Sequence, residues 1–196
     1  ITTTDGHLPV TINGQQLHAV NYQLKVASAQ VKSALILAAL QADEPTTLTE
    51  LLPTRDHTER MLTAFGGGIT TGDDGVTITV QPQPHLTGQS MTVPGDMSSA
   101  AFFMVAASLV PGSQITLKDV GLNKTRTGLL TILKAMGGHL SVESEPTAGE
   151  PIGDLTIRSA DLKPISIGKK DIPAVIDELP LVALLAAKAN GISRIT

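Results

Sequence analysis

The chain of 196 residues contains no cysteine and no tryptophan, and only 2% of its residues are aromatic. Without cysteine, neither a disulfide framework nor a cysteine-ligated zinc site can form. A single tyrosine also leaves few rings on which nucleic-acid bases could stack. These absences argue against a disulfide-rich scaffold, a zinc ribbon and a stacking-type nucleic-acid binder, and they favour a cytoplasmic protein.

Charge is scarce as well, since charged residues make up 16% of the chain and the net charge is −4. A negative balance without a basic stripe argues against binding to nucleic acid. No apolar run reaches the roughly 18 residues that a membrane-spanning helix needs. The five histidines show no HxH, HxxxH or HExxH spacing, so we expect no metal site.

A repeat is the main feature that the sequence does contain. Three segments have a small polar or acidic opening followed by an Ala/Leu-rich run: residues 28–40, 95–110 and 176–191. Two more, 54–67 and 123–138, resemble each other and end in Gly-Gly, with Gly66 and Gly137 71 residues apart. A period near 70 residues is too long for a solenoid and is the length of a multi-element α/β unit. The pattern predicts a duplicated α/β (α+β) fold.

Hydrophobic periodicity and turn residues predict the order strand, helix, strand, helix, strand, strand within each copy. Copy one covers 17–80, copy two 90–158, and a third begins near residue 165 and breaks off. In the first helix, the 3.6-residue period predicts a buried face. Its predicted members are Val31, Ala34, Leu35, Ala38 and Ala39. The predicted helices are 28–41, 54–65, 98–110, 125–136 and 180–189. The predicted strands include 17–26, 46–51 and 91–93, and a loop is predicted over 144–153.

Polar residues stand at the start of every predicted helix. Ser28, Ala29 and Gln30 open the first helix, and Thr54 and Arg55 open the second. Free N–H groups and the positive end of the helix dipole make such a start a plausible anion pocket. Ordinary capping is the commoner role of such residues and explains each segment taken alone, with the anion pocket as the alternative.

The later helices repeat this arrangement, with Asp96, Ser98 and Ser99 at one and Asn123, Thr125 and Arg126 at the next. If the copies pack around a common axis, the helix N-termini converge on one electropositive cleft. Asp177 and Glu178 precede an apolar run, where a partly buried carboxylate is a candidate general base. The alternative is that Asp177 caps the helix and Glu178 lies in its first turn.

Five motifs in this order resemble 5-enolpyruvylshikimate-3-phosphate (EPSP) synthase. They are SAQVKSALILAAL, RDHTERML followed by FGG, VPGDMSSAAFF, NKTRTGLL with MGG, and IDELPLVALLAA. The resemblance implies two domains of βαβαββ units, the inside-out α/β barrel of the enolpyruvyl transferases. It implies transfer of the enolpyruvyl group of phosphoenolpyruvate to the 5-hydroxyl of shikimate 3-phosphate, with no cofactor and no metal.

The resemblance also implies roles for individual residues. Ser28, Ala29 and Gln30 are expected to line the shikimate 3-phosphate pocket, and Thr54 and Arg55 to contact substrate. Many relatives have serine where Thr54 stands, and the hydroxyl is retained. Asp177 matches the acid that removes the proton from the 5-hydroxyl, and Glu178 belongs to the same motif without an assigned role.

The same comparison predicts a central piece of a longer protein, incomplete at both ends and inactive alone. We expect residues 1–92 to belong to the first domain and 93–196 to the second, which carries the catalytic Asp. The full-length protein is expected to be a monomer whose domains close over the substrates. Two alternatives remain: a UDP-N-acetylglucosamine enolpyruvyl transferase, and a non-catalytic duplicated α/β binding module.

Overall fold

A computed structural model describes residues 1–144, 149–169 and 171–196. The chain forms two compact units. The first comprises residues 1–53 and 65–87, and the second comprises 54–64 and 88–196. The segment 54–64 thus groups with the later part of the chain, whereas the domains that we expect from the sequence divide once, between residues 92 and 93.

The first unit contains a hairpin and a four-stranded sheet. Strands β1 (Thr2–Thr4) and β2 (His7–Thr11) pair antiparallel in the hairpin. The sheet has the order β3-β4-β6-β5, and only β3 and β4 run parallel. Its strands are β3 (Asn21–Gln23), β4 (Thr46–Thr49), β5 (Ile69–Thr71) and β6 (Thr77–Val80). Alternation along β4 and β6 buries Leu48, Ile78 and Val80 on one face of the sheet, as the period of a strand requires.

Helix α1 (Ala29–Ala39) confirms only part of the predicted buried face. Its buried residues are Lys32, Ile36 and Ala39, whereas Val31 is 40% exposed and Ala34 is also exposed. The prediction is confirmed for Ala39 and wrong for Val31 and Ala34. It failed there because residues 34–39 are apolar on every side of the helix, and because a lysine was not counted as a core residue. Lys32 is accommodated in the core by an ion pair with Glu50, described below.

The second unit contains most of the helices and the larger core. Its helices are α2 (His57–Ala64), α3 (Met97–Leu109), α4 (Gly128–Ala135) and α5 (Leu179–Lys188). A sheet of order β7-β9-β8 is antiparallel throughout. Its strands are β7 (Gln114–Gly121), β8 (His139–Ser144) and β9 (Ile152–Arg158). Short strands β10 (Ser166–Ile167) and β11 (Arg194–Ile195) pair parallel. Buried side chains of α3, α4, α5 and β9 form one apolar cluster around Met104, Leu133, Leu155 and Leu185.

The predicted duplication is confirmed by the strand order. In both copies the last three strands have the same arrangement, β4-β6-β5 in the first and β7-β9-β8 in the second. The predicted strand 91–93 is wrong, because the structure has no strand there. Val93 is 85% exposed and precedes Pro94, which has no N–H to donate to a sheet. In the first copy, β3 pairs with β4 in parallel. At the corresponding place in the second copy, only a single parallel bridge joins Gly95 to Val120 of β7.

Two predicted helix starts are too early. Helix α2 begins at His57, three residues after Thr54. Helix α4 begins at Gly128, because Asn123 Oδ1 accepts hydrogen bonds from the backbone N–H and hydroxyl of Thr125 and forms a turn instead. Residues 145–148 of the predicted loop 144–153 lie outside the described residues. Within the described residues, no helix is long and apolar enough to cross a membrane.

Candidate functional site

In the first unit, the predicted pocket residues lie at the start of α1. Ser28 is the N-cap, and its hydroxyl accepts a hydrogen bond from the Val31 N–H at 3.4 Å. Ser28 and Ala29 are half-buried and Gln30 is exposed. The structure therefore confirms capping, and the Gln30 amide is accessible to a ligand at the positive end of the helix dipole. Binding of substrate by these three residues stays a prediction.

In the second unit, Arg55 and Asp177 are neighbours although 122 residues separate them in sequence. Arg55 Nη2 donates to Asp177 Oδ2 at 2.5 Å, and the two side chains are 35% and 46% exposed. Thr54 beside them is half-buried. The pair joins the segment before α2 to the 3-10 helix Ile176–Glu178. It presents a cation and a proton acceptor side by side at an accessible surface.

The alternative reading of Asp177 as a helix cap is wrong. The N-cap of α5 is Glu178, and no side chain makes a capping hydrogen bond there. Asp177 lies one residue earlier, inside the 3-10 helix, and its carboxylate is directed to Arg55. Local capping therefore does not account for Asp177, whose carboxylate is instead ion-paired with Arg55, and its role as a base stays a prediction.

A second set of contacts lies behind this ion pair. Glu178 is only 3% exposed, and its Oε1 accepts a 2.5 Å hydrogen bond from the Ser98 hydroxyl. Arg126 Nη2 donates to Ser98 Oγ at 2.6 Å and to Asp96 Oδ1 at 3.2 Å. The same nitrogen is 4.0 Å from Asp177 Oδ2. Arg126 thus connects the start of α3 with the turn that carries both acids.

A further polar cluster is centred on Asn123, which is 2% exposed. Its side-chain amide donates to Asp56 Oδ1 at 2.7 Å and to Glu150 Oε2 at 3.1 Å. His57 Nδ1 lies 2.8 Å from Glu150 Oε1. The cluster fixes the start of α2, and with it Arg55, to the turn before α4.

The carboxyl group of Asp96, at the start of α3, has a lowered pKa. Partial burial raises the pKa of its carboxyl, but hydrogen bonds from the backbone N–H and hydroxyl of Ser99 and the charge of Arg126 outweigh burial and leave the pKa below its usual range. The carboxylate is therefore ionised at neutral pH, as an N-cap of α3 should be. Here the predicted cap is confirmed.

The predicted convergence of helix N-termini is confirmed within the second unit. Residues at or just before the starts of α2, α3, α4 and α5 share one network: Arg55, Ser98, Arg126 and Glu178. No cluster of three or more potential metal ligands occurs among the described residues. Chemically, the network can hold an anion at Arg55 and accept a proton at Asp177.

The whole chain, residues 1–196, matches the family model described as EPSP synthase (3-phosphoshikimate 1-carboxyvinyltransferase). The chain belongs to the EPSP synthase family. A relative from Lactiplantibacillus plantarum, named 3-phosphoshikimate 1-carboxyvinyltransferase, is 61% identical over 196 residues, which is all of this chain and 45% of the relative. A relative of the same name from Limosilactobacillus fermentum is 54% identical over 97% of this chain and 44% of its own length. The chain thus spans less than half the length of these relatives.

Solved structures agree with the family. EPSP synthase from Acinetobacter baumannii superposes with a TM-score of 0.90 at 46% identity, covering all of this chain and 44% of that one. The enolpyruvyl transferase NikO from Streptomyces tendae superposes with a TM-score of 0.64 at 18% identity, covering 92% of this chain and 45% of that one, which shows the shared fold alone. The predicted enolpyruvyl transferase fold is confirmed, and the family match favours EPSP synthase over the UDP-N-acetylglucosamine enolpyruvyl transferase alternative.

From the sequence, Ser98 and Arg126 were predicted only as polar residues at helix openings, and their contacts with Glu178 and Asp177 were not predicted. One signal was present, because the 71-residue offset between Gly66 and Gly137 also relates Arg55 to Arg126. These two arginines lie in corresponding segments, just before α2 and α4, and both approach Asp177. The offset between the two copies therefore indicates Arg126 as a candidate wherever Arg55 is one.

Proposed function

We propose that the full-length protein containing this sequence transfers the enolpyruvyl group of phosphoenolpyruvate to the 5-hydroxyl of shikimate 3-phosphate, yielding EPSP and phosphate. The observation that carries the proposal is the accessible Arg55–Asp177 pair in a chain of the EPSP synthase family. Curated relatives named 3-phosphoshikimate 1-carboxyvinyltransferase support this substrate class.

In this proposal Asp177 is the general base. Its carboxylate removes the proton of the 5-hydroxyl while the oxygen attacks C2 of phosphoenolpyruvate, and C3 takes a proton from a general acid of the full-length protein. The tetrahedral adduct then returns a methyl proton to the conjugate base of that acid and expels phosphate, which restores the double bond, and Asp177 releases its proton to solvent. A side chain that is 46% exposed can reach a bound hydroxyl, and general-base catalysis contributes about 10²–10⁴-fold to a rate.

Arg55 and Thr54 are the proposed substrate-binding residues of the second unit. A guanidinium can form paired hydrogen bonds to a phosphate or carboxylate, and Arg55 is 35% exposed. Ser28, Ala29 and Gln30 are the proposed binding residues of the first unit, where the free N–H groups of α1 favour a phosphate. We also propose that the full-length protein is a cytoplasmic monomer with no nucleic-acid or membrane partner.

The test compares the full-length protein with its Asp177→Asn variant by phosphate release and by calorimetric binding of shikimate 3-phosphate. We expect kcat to fall by about 10²–10⁴-fold while the substrate still binds. The matched control is Asp154→Asn, since Asp154 is also an ion-paired carboxylate of this unit, bound to Lys118 on the sheet. Its kcat should stay near that of the wild type.

Three results would contradict the proposal. Near-normal turnover by Asp177→Asn would remove the base assignment. A wild-type protein that uses UDP-N-acetylglucosamine instead of shikimate 3-phosphate would favour the rival enzyme. A wild-type protein that binds ligand without turnover would favour the binding module. Residues 1–196 alone should show negligible turnover, because they span only 45% of the length of the Lactiplantibacillus relative.

A further inference from the structure

We propose that Glu178, Ser98 and Arg126 act together as positioning residues that hold the Asp177 carboxylate in place. The inference rests on the proposed function, because it assigns how the proposed base is held. None of the three is proposed to contact substrate, and Arg126 alone approaches the Asp177 carboxylate, with Nη2 at 4.0 Å from Oδ2.

The argument starts from the opposite surroundings of two adjacent acids. Asp177 and Glu178 share one turn of 3-10 helix, yet the Asp177 side chain is 46% exposed and Glu178 is 3% exposed. A buried carboxylate needs hydrogen-bond donors, and the Ser98 hydroxyl supplies one at 2.5 Å. Glu178 therefore attaches the turn to the first turn of α3.

The direction of the hydrogen bonds extends this attachment to Arg126. Ser98 has one hydroxyl proton, which it donates to Glu178, so its oxygen is free to accept from Arg126 Nη2 at 2.6 Å. Arg126 is 18% exposed and also binds Asp96, the N-cap of α3. The chain Arg126–Ser98–Glu178 thus links three helix starts and ends one residue from Asp177.

The consequence is geometric. Asp177 can turn with its 3-10 helix unless its neighbour is fixed, and a displacement of about 1 Å can cost about 10²-fold in rate. Cutting the link at Ser98 leaves the Glu178 carboxylate buried without this donor, so the turn should move outward to hydrate it. The Arg55–Asp177 contact should then be lost, and Asp177 should no longer align with the substrate hydroxyl.

The test uses the full-length protein and separates kcat from KM. We expect Ser98→Ala and Glu178→Leu each to lower kcat about 10–100-fold while both KM values stay within about twofold. Ser98→Thr, which keeps the hydroxyl, and Glu178→Gln, which keeps an acceptor for it, should stay within about threefold of wild-type kcat. Because the residues act as a unit, the double variant Ser98→Ala/Glu178→Leu should be no slower than the worse single variant.

Ser108→Ala is the matched control. Ser108 is a buried serine of the same helix whose hydroxyl donates to the Met104 carbonyl at 2.8 Å, and it lies ten residues from Ser98, about 15 Å along α3. Ser108→Ala removes a hydroxyl from the same helix as Ser98→Ala does, but this hydroxyl does not bond Glu178, so kcat should not change. An equal fall in kcat for Ser108→Ala and Ser98→Ala would indicate general loss of packing and would overturn the inference.

A crystal structure of Ser98→Ala separates this inference from the proposed function. If the wild type is inactive, the proposed function fails, but the structure still reports whether Asp177 has moved. An Asp177 carboxylate that keeps its contact with Arg55 in Ser98→Ala overturns the positioning role. So does wild-type kcat in Ser98→Ala when the wild-type protein is active.

Discussion

The buried ion pair between Lys32 and Glu50 gives the sharpest test of how the first unit is held together. Lys32 Nζ lies 3.1 Å from Glu50 Oε2, and the two side chains are 1% and 3% exposed. Lys32 belongs to α1 and Glu50 directly follows β4, so the pair joins the helix to the sheet. The Lys32 N–H also donates to the Ser28 carbonyl, which places the pair one turn from the proposed pocket.

The net contribution of this ion pair to stability is the difference between its electrostatic attraction and the cost of removing both charges from water. At 3.1 Å the attraction between unit charges is about 5 kcal/mol for an effective dielectric constant near 20. Desolvation costs several kcal/mol for each ion and nearly cancels that attraction. Lys32→Met removes the attraction but leaves Glu50 buried, so we expect the free energy of unfolding to fall by about 3–5 kcal/mol. Lys32→Met/Glu50→Met removes both charges and should be nearly as stable as the wild type.

Urea unfolding of the full-length variants, followed by circular dichroism and by hydrogen exchange of residues 29–39, measures this cycle. Lys118→Met is the control, because Lys118 is 70% exposed in its ion pair with Asp154 and its loss should change stability far less. A loss below about 1 kcal/mol for Lys32→Met, or a double variant as unstable as the sum of the single variants, would refute the reasoning.

Two further predictions concern the second unit. In Gly128→Ala the new Cβ would lie 2.4 Å from Val175 Cγ1 and 2.5 Å from the Ala174 carbonyl oxygen, so we expect a loss of about 1–3 kcal/mol in urea unfolding and displacement of the adjoining turn. Gly88→Ala, with nothing within 4 Å of its Cβ, should be neutral, and equal losses in both variants would contradict the clash. Because the pKa of Asp96 is lowered in the folded state, its ionised form adds stability above its unfolded pKa of about 3.9, and this is lost as pH falls through the folded value. With a side chain 53% exposed, Asp96→Asn should therefore cost roughly 0.5 kcal/mol at pH 7 and progressively less below about pH 4, and a difference that does not depend on pH would contradict the charge effect.

The sequence predicted elements well where the deciding contacts are local. The Ser28 and Asp96 caps bond N–H groups three residues ahead, so the spacing along the chain is enough to find them. The prediction of helix starts failed where a turn competes with the helix over a few residues. Before Gly128, the Thr125 N–H donates to Asn123 Oδ1 and so forms a turn in place of the first helical residues. The prediction of a strand at 91–93 also failed, because strand pairing depends on partners that are remote in sequence.

By itself the sequence determined the family, the duplicated order of helices and strands, and the identity of the acidic and basic candidates, because motifs and periodicity are properties of the chain. The tertiary structure decided which candidates meet. Arg55 contacts Asp177, 122 residues away in sequence, and Ser98 contacts Glu178, 80 residues away. Lys32 is buried in the core because its ammonium group pairs there with the Glu50 carboxylate. Charges separated so far along the chain interact only after folding brings them within a few ångströms in a medium of low dielectric constant.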